Sequence, residues 1–90
     1  MLKKSSLLLI KEIWTEEDEP FIISDCENVI KGLKERIDEL NISNNSDILA
    51  IINIALNQIK DMFKGKMDNS RYSDYYRTFS FILKNELMDI

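Results

Sequence analysis

The stretch Ser24–Leu40, SDCENVIKGLKERIDEL, decides how the rest of this 90-residue chain is interpreted. Its apolar residues recur at steps of three and four, which places them along one side of an α-helix. They are Cys26, Val29, Ile30, Leu33, Ile37 and Leu40. Ser24 and Glu27 have the spacing of a capping box, whose side chains bond free N–H groups of the first turn. We therefore predict an amphipathic helix from Ser24 to about Asn41, in which Gly32 permits a close helix–helix approach.

Three other segments have helical character. Residues 6–14 carry apolar side chains opposite Lys11 and Glu12, which favours a helix and leaves a short strand as the alternative. Residues 48–56 are apolar on almost every side, so we expect a helix there that is enclosed by its neighbours and forms the central element. The fourth segment has an apolar stripe made of Tyr72, Tyr75, Tyr76, Phe79, Ile82, Leu83 and Leu87.

Polar residues predict where these helices begin and end. Ser46 and Ser70 are of the type preferred at helix N-termini, and Gly65 is of the type preferred just after a C-terminus. The acidic run before Pro20 predicts a turn or a single helical turn at the surface, because the residue that precedes a proline avoids helical geometry. Loops of about five residues favour antiparallel neighbours. We therefore expect residues 1–90 to form one all-α domain, a small antiparallel helical bundle with three long helices and a shorter N-terminal helix.

The composition excludes most catalytic chemistry. The chain has no histidine, one cysteine and two glycines, which stand too far apart for a phosphate-binding loop. We therefore expect no enzyme, no cofactor and no metal. The lone Cys26 forms no internal disulfide, which indicates a cytoplasmic protein, and its place on the apolar stripe favours an inert core thiol. No segment approaches the roughly 20 apolar residues that cross a bilayer, so no membrane contact is expected.

Charge is distributed unevenly along the chain, whose net charge is −4. Ten acidic and three basic residues lie between Glu12 and Glu39. An acidic half disfavours nonspecific contact with DNA or an anionic membrane, and it favours a basic protein partner such as a toxin or effector. Solubility is the plainer interpretation of the same acids. Abundant isoleucine, asparagine and lysine, with only two alanines, are typical of an AT-rich genome such as that of a bacterium or phage.

The first candidate binding surface is aromatic. Five of the eight aromatic residues lie between Tyr72 and Phe81, and arginines are interleaved with them. One helix of a small bundle cannot bury all five rings, and tyrosine and arginine are enriched at protein-binding hot spots. We expect Tyr75, Arg77 and Phe81 to contact a partner protein. The alternative is that the tyrosines are ordinary core and boundary residues, which leaves Phe81 as the anomaly.

The second candidate surface is the acidic turn. Trp14 precedes the acids Glu16, Glu17, Asp18 and Glu19, and together they would contact and attract a basic partner. The spacing is not that of a calcium-binding loop, and contiguous carboxylates point in different directions. The alternative is a solvated turn without a binding role.

In size, acidity and helical architecture the whole chain is similar to bacterial immunity proteins and phage-encoded inhibitors. This likeness of class implies a non-enzymatic protein that binds and neutralises a partner protein. One alternative is a nucleic-acid-associated regulator, disfavoured by the acidic charge, whose basic residues would be Lys60, Lys64, Lys66, Arg71 and Arg77. Another is an assembly subunit, a homo-dimer for example, in which a second copy covers the apolar third helix.

Overall fold

The structure, a computed structural model, describes residues 2–63 and 68–88 and consists of four α-helices there. They are α1 (Lys4–Ile13), α2 (Glu19–Glu39), α3 (Asn45–Phe63) and α4 (Asn69–Leu87). The prediction of an all-α helical bundle is confirmed, and the alternative of a strand over residues 6–14 is wrong because α1 covers most of that segment. The predicted cap at Gly65 lies outside the described residues, as do Lys64 and Lys66.

The central helix of the bundle is α4. It packs against each of the other three helices, whereas α3 packs mainly on α4 and has only a small contact with α2. The prediction that the third helix is central is therefore wrong. Ile54 is largely exposed on α3, as are Asn53 and Asn57, so one side of this helix faces solvent. An apolar sequence shows that burial is favourable, but it does not determine which sides a neighbour covers.

The start of α2 lies five residues earlier than predicted, which is about one and a half turns. The helix begins at Glu19, with Pro20 in its first turn, where a missing N–H removes no helical hydrogen bond. Ile22, which is 1% exposed, extends the apolar stripe backwards and gives this extra turn a core contact. Ser24 is consequently an exposed residue inside the helix, and the predicted capping box does not form.

The end of α2 agrees with the prediction. Asn41 has φ 53°, the left-handed conformation that asparagine tolerates better than most residues. Its N–H donates to Asp38 O at 3.2 Å, and the N–H of Ile42 donates to Ile37 O at 3.2 Å. This is the Schellman pattern, and Ile37 and Ile42 both pack against the core beside it.

The N-termini of α3 and α4 are capped by residues other than the predicted serines. Asn44 Oδ1 accepts a hydrogen bond from the N–H of Asp47 at 2.9 Å, and Asp68 Oδ1 accepts one from Arg71 at 2.8 Å. Ser46 and Ser70 lie inside the first turn of their helices. Hydrophobic periodicity places a helix boundary only within a residue or two, and several good capping residues stand side by side here.

The core is formed by apolar side chains from all four helices and from the N-terminal segment. Its buried members are Leu2, Ile10, Trp14, Ile22, Cys26, Ile30, Ile48, Ile52, Leu56, Phe79, Ile82 and Leu83. Gly32 does not contribute to a close helix contact, because a Cβ atom at this position would meet nothing within 4 Å. That prediction is wrong, and Gly32 lies on the exposed side of α2.

A polar cluster joins the start of α1 to the end of α4. The Glu86 carboxylate accepts hydrogen bonds from Lys3 N at 2.9 Å and from the buried hydroxyl of Ser6 at 2.8 Å. Asn85 donates its side-chain amide to Ser5 and Ser6. A carboxylate at a helix N-terminus is favourably placed in the helix dipole, so this cluster holds α1 antiparallel to α4 in one register. No helix of the described residues has the length and hydrophobicity that crossing a membrane requires.

Candidate functional site

Tyr75, one of the three aromatic-face residues predicted to contact a partner, points into the bundle. Its ring meets Trp14 edge-on with centroids 4.8 Å apart, stacks on Phe63 at 5.3 Å and faces Phe79 at 6.3 Å. Burial, reinforced by the nearby charge of Asp25, raises the pKa of the Tyr75 hydroxyl. Tyr75 therefore joins helices α1, α3 and α4, and its half-buried ring offers a partner little surface.

Trp14 is also part of the core. It is 6% exposed, and its indole Nε1 donates a hydrogen bond to Thr78 Oγ1 at 3.0 Å. The guanidinium of Arg71 lies over the ring, 5.0 Å from its centroid. This cation–π contact covers one face of the indole. Trp14 consequently stabilises the junction of α1 and α4 and is not presented to a partner.

The acidic run is divided by the fold. Glu16 and Glu17 are exposed in the turn between α1 and α2, while Glu19 is the half-buried first residue of α2. Asp18 accepts a hydrogen bond from Arg71 at 3.2 Å, so its charge is paired within the molecule. Within residues 2–63 and 68–88, no three His, Cys, Asp or Glu side chains come together as metal ligands. Of the four acids, Glu16 and Glu17 extend the farthest into solvent.

The outward side of α4 forms a shallow, open depression. Six residues line it: Ser73, Tyr76, Arg77, Ser80, Phe81 and Lys84. Tyr76 is 39% exposed and Phe81 is 44% exposed, and the exposed Arg77 lies between them in sequence. Arg77 and Phe81 were expected to be accessible, and the structure places them together on this surface. Tyr76 was expected on the buried stripe, and its exposure is a correction.

A second depression adjoins the first. It is lined by Lys60 of α3 together with Tyr72, Ser73 and Tyr76 of α4, and the tyrosine rings lie 6.4 Å apart. The two depressions share Ser73 and Tyr76, so we treat them as one region, the α4 surface. Among the residues that the structure describes, eight line it: Lys60, Tyr72, Ser73, Tyr76, Arg77, Ser80, Phe81 and Lys84. Three are cations, three are aromatic, two are serines, and none is a carboxylate.

Sequence reasoning missed the contribution of Lys84 to this surface. Lys84 lies seven residues after Arg77, which is two turns of a helix and places both cations on one side. That spacing was available in the sequence. The position of Lys60 was not, because a residue of α3 joins this surface only through the packing of α3 on α4.

Two other features of the described residues have simpler roles. Cys26 is fully buried, and burial together with the charges of Asp25 and Glu27 raises its pKa to about 12, so the thiol is inert. An uncharged groove between α2 and α3 is lined by apolar residues that include Val29, Leu33 and Met62. In the homo-dimer alternative, a second copy of the chain would cover this groove together with the neighbouring side of α3.

Comparisons with protein-family models, with curated proteins and with solved structures found no match for this chain.

Proposed function

We propose that this chain is a non-enzymatic protein-binding module that neutralises a partner protein by occupying it, as immunity proteins and phage-encoded inhibitors do. The observation that carries the proposal is the α4 surface, where Tyr76, Arg77 and Phe81 are exposed side by side. Aromatic and arginine side chains dominate the energetics of protein interfaces. The size, acidity and helical architecture of the chain, shared with those two classes of protein, support the neutralising role.

The position of the α4 surface supports this use. Phe79, Ile82 and Leu83 of the same helix are buried in the core, and α4 contacts the three other helices. The exposed residues therefore stand on the most firmly anchored backbone of the molecule. A rigid surface loses little conformational entropy when it binds, which favours affinity.

The acidic turn supports a different aspect of the proposal. Exposed Glu16 and Glu17 would accelerate association with a basic partner, as the net charge of the chain predicts. Reversing both charges (E16K/E17K) should then slow association markedly at low ionic strength and leave dissociation unchanged. An unchanged association rate would show that this turn does not attract the partner.

The proposal is tested by capturing partners from lysate of the source organism with the tagged chain after nuclease treatment. The double variant Y76A/F81A removes both exposed rings of α4, and F21A is the matched control because Phe21 is 70% exposed on α2 and lines neither α4 depression. We expect one protein in stoichiometric amount with the wild type and with F21A, and its loss with Y76A/F81A. Circular dichroism checks that both variants stay folded.

Three outcomes would contradict the proposal. Capture that survives Y76A/F81A would exclude the α4 surface, and capture lost in F21A alone would move the binding site to α2. Recovery of nothing but further copies of this chain would favour the assembly subunit.

A second candidate function rests on the same residues. Lys60, Arg77 and Lys84 stand beside aromatic rings, and this combination also binds single-stranded nucleic acid by phosphate contact and base stacking. Three phosphate contacts predict that log K falls with log salt concentration with a slope of about −2. A fluorescence titration with a single-stranded 20-mer measures this slope. An absence of binding at 50 mM salt would exclude the nucleic-acid function.

A further inference from the structure

We infer that the α4 surface docks an acidic segment of the partner protein, whose carboxylates pair with Arg77 and Lys84 while an apolar side chain packs on Phe81. This inference rests on the proposed protein-binding function and adds the chemistry of the partner. It differs from the expectation drawn from net charge, because the residues that line the contact surface have the opposite sign to the chain as a whole.

The cations of the α4 surface are not used within the fold. From residues 2–63 and 68–88, no hydrogen bond or ion pair reaches the side chains of Lys60, Arg77 or Lys84. Arg71, one turn and a half before Arg77 on the same helix, pairs with Asp18 and stacks on Trp14. The fold thus neutralises the arginine at the junction of α1 and α4 and leaves the outward cations available to a partner.

The spacing of these cations defines what fits. Arg77 and Lys84 are seven residues apart, so their Cα atoms are separated by about 10 Å along the helix axis and face one side. Phe81 lies between them, one turn after Arg77. The complementary segment carries two carboxylates about 10 Å apart with an apolar or aromatic residue between them. An amphipathic acidic helix with carboxylates seven residues apart satisfies this arrangement.

Charges close to the α4 surface act more strongly on a bound partner than the net charge of the whole chain does. At physiological ionic strength the screening length is about 8 Å, so acids farther away than this act weakly on groups that touch the α4 surface. A nucleic acid is disfavoured, because its phosphates continue beyond the three cations at about one charge per 3.4 Å of strand and meet those acids. A short acidic protein segment does not extend its negative charge beyond the cations of the α4 surface. These observations therefore favour a protein over a nucleic acid as the partner.

The test selects binders from a displayed library of random 16-residue peptides, using the full chain as bait. The charge-reversal variant R77E/K84E is compared with K31E/K34E, which changes the net charge by the same amount on the exposed side of α2. We expect wild-type binders enriched in Asp and Glu around an apolar or aromatic residue. By fluorescence anisotropy, R77E/K84E should weaken the selected peptides at least tenfold, and K31E/K34E less than threefold.

Several results would overturn this inference. These are enrichment of Lys and Arg in the selected peptides, equal weakening by both reversals, and tighter binding of single-stranded oligo(dT) than of any selected peptide. A selection that returns no binder, while capture from lysate still depends on Tyr76 and Phe81, removes the acidic partner and leaves the proposed function standing. Failure of both experiments removes both.

Discussion

Replacing Thr78 by valine removes the hydrogen-bond acceptor of the only tryptophan in the chain. Thr78 is 0% exposed, and its hydroxyl accepts a hydrogen bond from Trp14 Nε1 at 3.0 Å while it donates to Asp74 O at 2.7 Å. Valine keeps the shape of the side chain and deletes both functions of the hydroxyl. Within the described residues, the bond to Thr78 Oγ1 is the one hydrogen bond that the indole N–H makes.

The magnitude follows from what remains after the substitution. A buried N–H without a partner destabilises a protein by about 1–3 kcal/mol, and the indole is almost as buried as the threonine. Valine also loses the hydrogen bond that the Thr78 hydroxyl donates to Asp74 O. The loss of this second bond adds little, because Asp74 is only half-buried. We therefore expect T78V to lower the free energy of unfolding by about 2 kcal/mol. In a domain of this size that corresponds to a fall in Tm of roughly 8–16 °C.

Urea denaturation measures this loss, and a double-mutant cycle assigns it to the hydrogen bond. Trp14 fluorescence reports unfolding in T78V, and far-ultraviolet circular dichroism reports it in variants that lack the indole. W14F removes the indole N–H, so T78V in the W14F background should destabilise the protein by less than about 0.5 kcal/mol. An equal loss in both backgrounds, or a loss below about 0.5 kcal/mol in T78V alone, would refute the assignment.

Three further predictions concern stability. Burial raises the pKa of Cys26 from its ordinary 9.0 to about 12, so the thiol loses its proton at lower pH in the unfolded state than in the folded state. The free energy of unfolding should therefore fall by about 1.4 kcal/mol per pH unit between pH 9 and 12. Urea denaturation at a series of pH values measures this fall, and C26A should lack it. G32A should raise the free energy of unfolding by about 0.5–1 kcal/mol, because a Cβ atom there meets open space; a lower Tm in calorimetry would contradict this. N44A should destabilise the protein by about 1 kcal/mol and S46A by less than half of that; the reverse order in thermal melts would show that Ser46 is the cap.

The fold class was predictable because it depends on local pattern. Steps of three and four between apolar residues define four helices before any contact is known, and Asn41 ends α2 through its own tolerance of a positive φ. Helix starts were harder to predict. Taken alone, Pro20 predicts that the preceding residue, Glu19, is not helical. The structure starts the helix at Glu19 nevertheless, because Ile22 is then buried in the core and this contact outweighs the local preference of Glu19 for extended geometry.

The sequence separated Phe79 from Phe81, but the directions of Tyr75 and Tyr76 were decided by the tertiary structure. Phe79 lies on the predicted apolar stripe and is 3% exposed, whereas Phe81 lies off that stripe and is 44% exposed. Tyr75 and Tyr76 both belong to the predicted stripe, and only the packing of three helices around α4 determines that Tyr76 is the one left 39% exposed. The same packing buries Trp14 and turns Tyr75 inward.

The sequence determines the net charge of the protein, but the fold determines where the charges lie. Composition determines the net charge of −4, and that total suggests a basic partner. The fold pairs Arg71 with Asp18 and brings Lys60 of α3 beside the cations of α4, so a positive surface forms on a negative protein. A sum over residues is independent of their positions, whereas the field that a partner meets falls off within about 8 Å, and only folding sets which charges lie within that distance of one another.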